Sequence, residues 1–195
     1  MKVVNVHERE LDASPEEVGA LIDSLASPRD ALWPRDIWPP MRFDRPLGVG
    51  ASGGHGPVRY SVEDYVPGES IRFRFHRPTG FRGTHAFEVI EGASGRPVLR
   101  HTVKMNTAGS ARVTWPLAFG PLHDGLLEDS LARAEAAVGM PPTVRSWSPW
   151  VRFLRWALTG GRARKQITPG GSGDSARRSV DPDRDVGSSP SRGVG

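Results

Sequence analysis

The chain has 195 residues, no cysteine and a formal net charge of +4. The lack of cysteine excludes disulfides, thiolate metal sites and cysteine nucleophiles, and the length suits one domain with some residues left over. The N-terminus is charged where a signal peptide needs an apolar block, and no apolar run approaches membrane-spanning length, so we expect a cytoplasmic protein.

The positive charge is concentrated at the C-terminal end. Residues 141–195 contain nine arginines and one lysine against four aspartates, whereas residues 1–140 contain 16 basic and 18 acidic side chains. A domain that binds nucleic acid usually carries positive charge on its folded surface. We therefore expect no nucleic-acid partner for residues 1–140.

The first predicted elements are a strand over residues 2–11 and a capped helix in LDASPEEVGALID. Ser14 can cap this helix, Pro15 suits its first position, and Glu17 completes a capping box with Ser14. Apolar residues then recur with helical spacing from Val18 onward, so one side of the helix must pack on another element.

Between residues 41 and 105 the apolar period changes to two, which predicts an antiparallel meander with one covered face. The side chains predicted on that face are Tyr60, Val62, Phe73, Phe75, His85, Phe87, Val89, Leu99, His101, Val103 and Met105. The predicted cross-strand pairs are Tyr60 with Phe75, Val62 with Phe73, Phe75 with His85, Phe73 with Phe87, Phe87 with Leu99, and His85 with His101.

The segment 115–139 is predicted to be a long amphipathic helix that covers this face and ends at Gly139. Its apolar side comprises Leu122, Leu126, Leu127, Leu131, Ala134 and Val138. Its acidic side chains, which we expect in water, are Asp124, Glu128, Asp129 and Glu135. Beyond it, residues 141–165 suggest a basic, aromatic helical extension, and residues 166–195 have almost no apolar side chains and should be disordered.

This order of elements resembles the START/polyketide-cyclase-like (SRPBCC) superfamily over residues 1 to about 140. The stretches that carry the resemblance are LDASPEEVGALI, VRYSVEDYVPGESIRFRF, GTHAFEVIE and PLHDGLLEDSLARA. It implies an α+β helix-grip fold, in which a curved antiparallel sheet of six or seven strands wraps around a long C-terminal helix. It also implies a cavity for a small hydrophobic or aromatic ligand, used by a carrier or sensor or, alternatively, by a cyclase/aromatase-type enzyme acting on a polyketide-like substrate.

His85 and His101 are the main site candidates, because they are titratable groups on an otherwise apolar face. Directly opposite strand residues have Cβ atoms about 4.5–5.5 Å apart, close enough to bind one ligand oxygen, to move a proton, or merely to satisfy each other. A zinc centre would need a third protein ligand, so we expect no metal and no cofactor. The predicted ligand-binding residues are Tyr60, Phe73, Phe75, His85, Phe87, His101, Met105, Leu122 and Leu126.

We expect structural roles for three other motifs in the sequence. Residues 48–53 match GxGxxG but lack the preceding buried strand and following helix of a dinucleotide site, so we expect a loop at the cavity rim. His55 in this loop could reach a ligand, but we expect it to face water. Trp33 and Trp38 could cover the cavity mouth or pack against the first helix. The aromatic and basic residues 145–165 could make weak peripheral contact with a membrane or dock back onto the domain.

Overall fold

A computed structural model of the protein describes residues 1–160. Its elements are β1 (Lys2–Glu10), α1 (Pro15–Asp23), β2 (Arg42–Phe43), β3 (Ser52–His55), β4 (Val58–Val66), β5 (Ser70–Arg77), β6 (Phe81–Glu91), β7 (Pro97–Thr107), α2 (Ala111–Thr114), a π-helical turn (Trp115–Phe119), α3 (Gly120–Ala137) and α4 (Pro149–Leu158). The strands form one antiparallel sheet in the order β1-β7-β6-β5-β4-β3-β2. The predicted α+β helix-grip fold is confirmed, and the predicted disorder of residues 166–195 lies outside the described residues.

Helix α1 begins where its capping signals place it. The Ser14 hydroxyl accepts a hydrogen bond from the Glu17 backbone N–H at 3.2 Å, and the Glu17 carboxylate accepts one from the Ser14 N–H at 2.8 Å. On the buried side, a Cβ at Gly19 would come within 1.9 Å of the Gly68 carbonyl oxygen. A residue without a side chain therefore lets α1 lie directly on the β4–β5 turn.

The register between β4 and β5 agrees with the prediction, since Tyr60 lies opposite Phe75 and Val62 opposite Phe73. The register between β5 and β6 does not, because His85 lies opposite Phe73 rather than Phe75. The connection between β5 and β6 is three residues long, residues 78–80.

The register between β6 and β7 is also displaced by two residues. His101 lies opposite Phe87, and His85 lies opposite Val103, so the two histidines are diagonal neighbours instead of a direct pair. The hairpin is closed by a hydrogen bond from the Gly92 N–H to the Arg96 carbonyl. Because strand side chains alternate with a period of two, these shifts leave every side chain on its predicted face.

The covering helix is longer than predicted. It begins with α2, continues through the π-helical turn and α3, and is followed by Gly139 at φ +80°, a left-handed conformation that glycine favours. Leu126, Leu127 and Leu131 are buried against the sheet in the main core, which also includes residues of α1. A smaller apolar cluster lies around the π-helical turn and contains Met105.

The expectation that the acidic side chains of α3 are in water is wrong for most of them. Asp129 and Glu135 are buried, Glu128 is largely buried, and only Asp124 is half exposed. Strand β1 accounts for part of this, because it directs polar side chains toward α3. The polar residues are Asn5, His7 and Arg9, while Val4 and Val6 face outward.

Helix α4 docks onto the domain through its buried residues Val151 and Arg155. The Arg155 guanidinium carbon lies 4.0 Å from the ring centre of Trp38 and 4.2 Å from that of Trp147. Both indole N–H groups donate to the Asp129 carboxylate, at 2.7 and 2.8 Å. Within residues 1–160, no helix is long and apolar enough to cross a membrane.

Candidate functional site

A cavity of about 330 Å³ lies between the sheet, α3 and α4. Its walls come from strands β3 to β7, from the segment that contains Trp33 and Trp38, from the π-helical turn and from the two helices. The volume lies at the small end of the range for ligand pockets in proteins, and the lining is mostly apolar with a few polar side chains. Both tryptophans are buried and contribute to the wall of the cavity.

The structure brings some of the predicted ligand-binding residues to the cavity surface and not others. Those that line it are Phe75, His85, His101, Leu122 and Leu126. Those that do not are Tyr60, Phe73 and Phe87, which are fully buried in the main core, and Met105, which belongs to the smaller cluster. The buried residues behind the cavity surface support those that line it, since Phe73 stacks on His85 with ring centres 4.8 Å apart.

The histidine pair is in contact despite the diagonal register. Nδ1 of His85 lies 3.3 Å from Nε2 of His101, and His85 is held between the near-parallel rings of Phe73 and Phe75. The other nitrogen of each ring, Nε2 of His85 and Nδ1 of His101, is buried without a hydrogen-bond partner. The pair therefore offers two unused ring nitrogens in an apolar surrounding.

Two further histidines extend this pair into what we call the imidazole row: His55, His85, His101 and His123. His55 does not face water as expected, because it lines the cavity and its Nδ1 lies 3.0 Å from the Tyr60 hydroxyl. The Tyr60 ring contacts His85 at 4.7 Å between centres. At the other end, the ring of His123 lies 5.0 Å from that of His101, and both of its nitrogens are buried without a hydrogen bond.

Burial keeps the imidazole row neutral. Desolvation, followed by the neighbouring histidines, lowers the pKa of His85 and His101 well below the usual value. The same cause lowers the pKa of His55 to about 3. Desolvation also lowers the pKa of His123, although the Asp124 carboxylate acts in the opposite direction. A neutral imidazole has one donor and one acceptor, so the row can bind either kind of ligand group.

The residues of β1 and α3 form a second polar group, which we call the ionic cluster: His7, Arg9, Asp124, Glu128 and Glu135. The two ring nitrogens of His7 each lie 3.1 Å from a carboxylate oxygen, one of Asp124 and one of Glu128. Arg9 bridges Glu128 at 3.0 Å and Glu135 at 2.9 Å. Burial would lower the pKa of His7, but its hydrogen bonds to the two carboxylates outweigh burial and raise it.

One group of three side chains among the described residues could hold a metal ion. The ligating atoms of His7, His123 and Asp124 lie within 4.8 Å of one another. The Asp124 oxygen that would bind the ion already accepts a hydrogen bond from Asn5 at 2.9 Å and contacts His7. Ion pairing thus accounts for the arrangement, and the absence of a resident metal stays a prediction.

The sequence interpretation missed His123 and Arg155, which line the cavity, and His7, which lies beside His123. A signal for His123 was present, because it precedes Leu127 by four residues and Leu131 by eight and so shares their helix side. His7 had no comparable signal, since its partners Asp124 and Glu128 are more than a hundred residues away in the chain.

No protein-family model matches the sequence, and no curated protein matches it either. Solved structures do match. A protein from Thermobifida fusca has 14% identity and a TM-score of 0.54, and the alignment covers 73% of this chain and 99% of that one. A conserved protein of unknown function from Enterococcus faecalis has 15% identity and a TM-score of 0.51, with coverage of 82% and 86%.

Norcoclaurine synthase from Thalictrum flavum, a point mutant in complex with a transition-state analogue, is also similar. It has 16% identity and a TM-score of 0.50, and the alignment covers 71% of this chain and 96% of that one. At such identities the likeness concerns the fold and not the activity. The chain therefore shares the helix-grip fold of these proteins.

Proposed function

We propose that the protein binds a small, largely apolar or aromatic molecule that carries at least one polar group, acting as a carrier or sensor. On the fold and the cavity together, we also propose that it belongs to the SRPBCC superfamily. The observation that carries the binding proposal is the pair of buried ring nitrogens without hydrogen-bond partners, Nε2 of His85 and Nδ1 of His101. A buried polar atom without a hydrogen bond costs about 1–3 kcal/mol, which a ligand hydroxyl or carbonyl would recover.

The cavity limits the shape of this ligand. Phe75, Leu122 and Leu126 offer apolar contact on the walls, whereas His85 and His101 form a polar region on the sheet side. A volume near 330 Å³ suits a molecule of one or two fused rings better than a long lipid chain. We therefore use 2-naphthol as the test ligand, since it combines an aromatic body with one hydroxyl group.

The experiment fills the cavity with a large side chain and compares this variant with one that carries the same substitution outside the cavity. Ala118 lines the cavity, whereas Ala136 is an exposed residue on α3. Calorimetric titration with 2-naphthol should show binding to the unchanged protein and to Ala136→Trp, and at least roughly tenfold weaker binding to Ala118→Trp. Equal affinity in both variants, with both folded by circular dichroism, would contradict binding in this cavity.

A second candidate function is cyclase/aromatase-type catalysis on a polyketide-like substrate. The observation that favours it is the position of His85 and His101 at the cavity surface, each with a ring nitrogen that has no hydrogen-bond partner and could take a proton from carbon beside a carbonyl. The lowered pKa of both rings makes them weak bases for this step. His123 then lies between this pair and the half-exposed Asp124, on a route by which a proton could leave. The similar fold of norcoclaurine synthase is compatible with an enzyme but does not favour one.

The two functions differ in what happens to the bound molecule. If a β-polyketone substrate is converted by the unchanged protein, and His85→Ala loses that turnover while still binding the substrate, the enzyme is favoured. If native mass spectrometry of the purified protein releases a small molecule that incubation leaves unaltered, the carrier is favoured.

A further inference from the structure

The outer surface beside the cavity carries a group of exposed apolar side chains, which we call the apolar ridge: Val113, Leu117, Trp150, Phe153, Trp156 and Leu158. Between 46% and 70% of each of these side chains is exposed. Proteins that stay in water as monomers rarely display so many large apolar groups together, and such a patch commonly marks a contact with a membrane or a partner.

The ridge is continuous and ordered. The ring centres of Trp150 and Phe153 are 5.4 Å apart and stacked, and those of Phe153 and Trp156 are 6.2 Å apart. The indole N–H of Trp150 donates to the Leu117 carbonyl at 2.7 Å, which joins α4 to the π-helical turn. Since Val151 and Arg155 fix the opposite side of α4 to the domain, docking of this helix leaves the aromatic side outward.

The two segments that carry the ridge contain basic residues and no acidic ones. In residues 108–123 and 139–160 the exposed arginines are Arg112, Arg152 and Arg145, of which Arg145 also pairs with Glu128, whereas Arg155 is buried. Three more basic residues, Arg162, Arg164 and Lys165, follow within seven positions of α4. Exposed Trp and Phe side chains together with arginines are the composition of helices that lie in the headgroup layer of anionic bilayers.

The ridge also adjoins the cavity. Trp115 and Ala118 of the π-helical turn flank the ridge residue Leu117 in the sequence and line the cavity, and Leu158 of α4 belongs to both the ridge and the cavity wall. A surface in contact with the ridge would therefore lie next to the part of the cavity wall that these two elements form.

We propose that the apolar ridge docks the protein onto an anionic lipid surface, with the aromatic side chains of α4 inserted among the headgroups. The exposed arginines Arg112 and Arg152 favour an anionic bilayer over a second copy of the chain, because two copies would bring like charges together. Docking of this kind does not depend on the identity of the cavity ligand, so it can be tested separately from the proposed function.

The test is cosedimentation of the full chain with vesicles of phosphatidylcholine alone and of an equal mixture with phosphatidylglycerol. The variant is Phe153→Ser/Trp156→Ser, whose side chains make no hydrogen bond within the described residues. The control is Val4→Ser/Val6→Ser, which removes apolar side chains of similar exposure, 56% and 48%, from the outer face of β1. Quenching of tryptophan fluorescence by brominated lipid gives a second readout on the unchanged protein.

We expect the unchanged protein and the control to bind the mixed vesicles, more weakly at high salt, and the ridge variant to bind roughly tenfold less tightly or worse. Circular dichroism should show that the variant is folded, so that this control does not depend on the cavity ligand. The proposal is overturned if the unchanged protein binds neither vesicle, if brominated lipid leaves its fluorescence unchanged, or if the folded ridge variant binds like the control. It is also overturned if the unchanged protein does not bind vesicles and light scattering shows that it forms a dimer, which the ridge substitutions abolish. The ridge would then join two copies of the chain.

Discussion

The imidazole row and the ionic cluster are both built around histidines beneath α3. The histidines of the row are neutral, whereas the histidine of the cluster is a cation. The ring of His123, at the end of the row, lies 5.7 Å from that of His7 in the cluster. Desolvation acts on both, but only His7 has two carboxylate partners within hydrogen-bonding distance. Burial alone thus makes a histidine neutral, and the carboxylates that α3 places beside His7 decide that this histidine becomes a cation.

This contrast assigns different roles to the two groups. The ionic cluster satisfies its own charges, because His7 and Arg9 bridge the acidic side chains of α3 to β1. The imidazole row leaves several ring nitrogens unused and faces the cavity. We infer that the first group stabilises the fold, whereas the second is available to a ligand.

The largest expected effect comes from breaking the ionic cluster. Arg9→Met should lower the free energy of unfolding by about 3 kcal/mol, because it leaves the buried Glu135 carboxylate without its ion-pair partner. The control is Arg100→Met, which breaks a largely exposed pair with Glu8 and should change the stability by less than about 1 kcal/mol. Urea denaturation at pH 7 measures both, and similar losses in the two variants would show that the cluster is not a stabilising centre.

The next effect concerns pH and has opposite signs in the two groups. As the pH falls below about 6.5, the histidines of the row take up protons in the unfolded chain but stay neutral in the folded protein, which lowers the free energy of unfolding. For His55 this loss of stability is roughly 2–3 kcal/mol by pH 4.5. The raised pKa of His7 instead contributes stability that is present below its unfolded pKa and is lost as the pH rises through its folded pKa.

Single substitutions separate these two contributions. Urea denaturation at a series of pH values gives the free energy of unfolding as a function of pH. His55→Gln should make this curve flatter on the acid side, and His7→Gln should make it flatter above pH 6.5. An acid side that His55→Gln leaves as steep as before would show that this imidazole is charged in the folded protein.

A smaller effect concerns ligand discrimination by the row. His101→Phe should weaken the binding of 2-naphthol about tenfold, because the hydroxyl group loses a hydrogen-bond partner. The affinity for 2-methylnaphthalene, which has a similar shape and no polar group, should change by less than about twofold. Calorimetric titration of both ligands measures the difference, and an equal loss for the two would mean that the substitution only disturbs packing.

Local patterns in the sequence predicted most of the fold. The capping box at Ser14 and Glu17 forms as expected, and the alternation from Tyr60 to Met105 predicted the covered face because one side of the sheet contacts water. The length of the covering helix was underestimated, since its first turns, from Ala111, do not follow the apolar pattern of α3.

The site was predicted only in part, for reasons of distance along the chain. The pairing of His85 with His101 depended on the register between β6 and β7, which was wrong by two residues, so the histidines are diagonal neighbours and still meet. The burial of Glu135 could not be predicted from α3 alone, because its partner Arg9 lies 126 residues away in β1. Such long-range contacts leave no periodic signal in either segment.

The most direct test of the neutral row is an NMR titration of the imidazole resonances in the full chain. We predict that His55, His85 and His101 stay neutral at pH 6 and below while the protein remains folded, with His85 and His101 titrating as a coupled unit, and that His7 gains its proton above pH 6.5. Assignment by single substitution to Gln identifies each signal. Independent titration of His85 and His101 near the ordinary value of about 6.5 would show that they are exposed and uncoupled, which would contradict the proposed binding site.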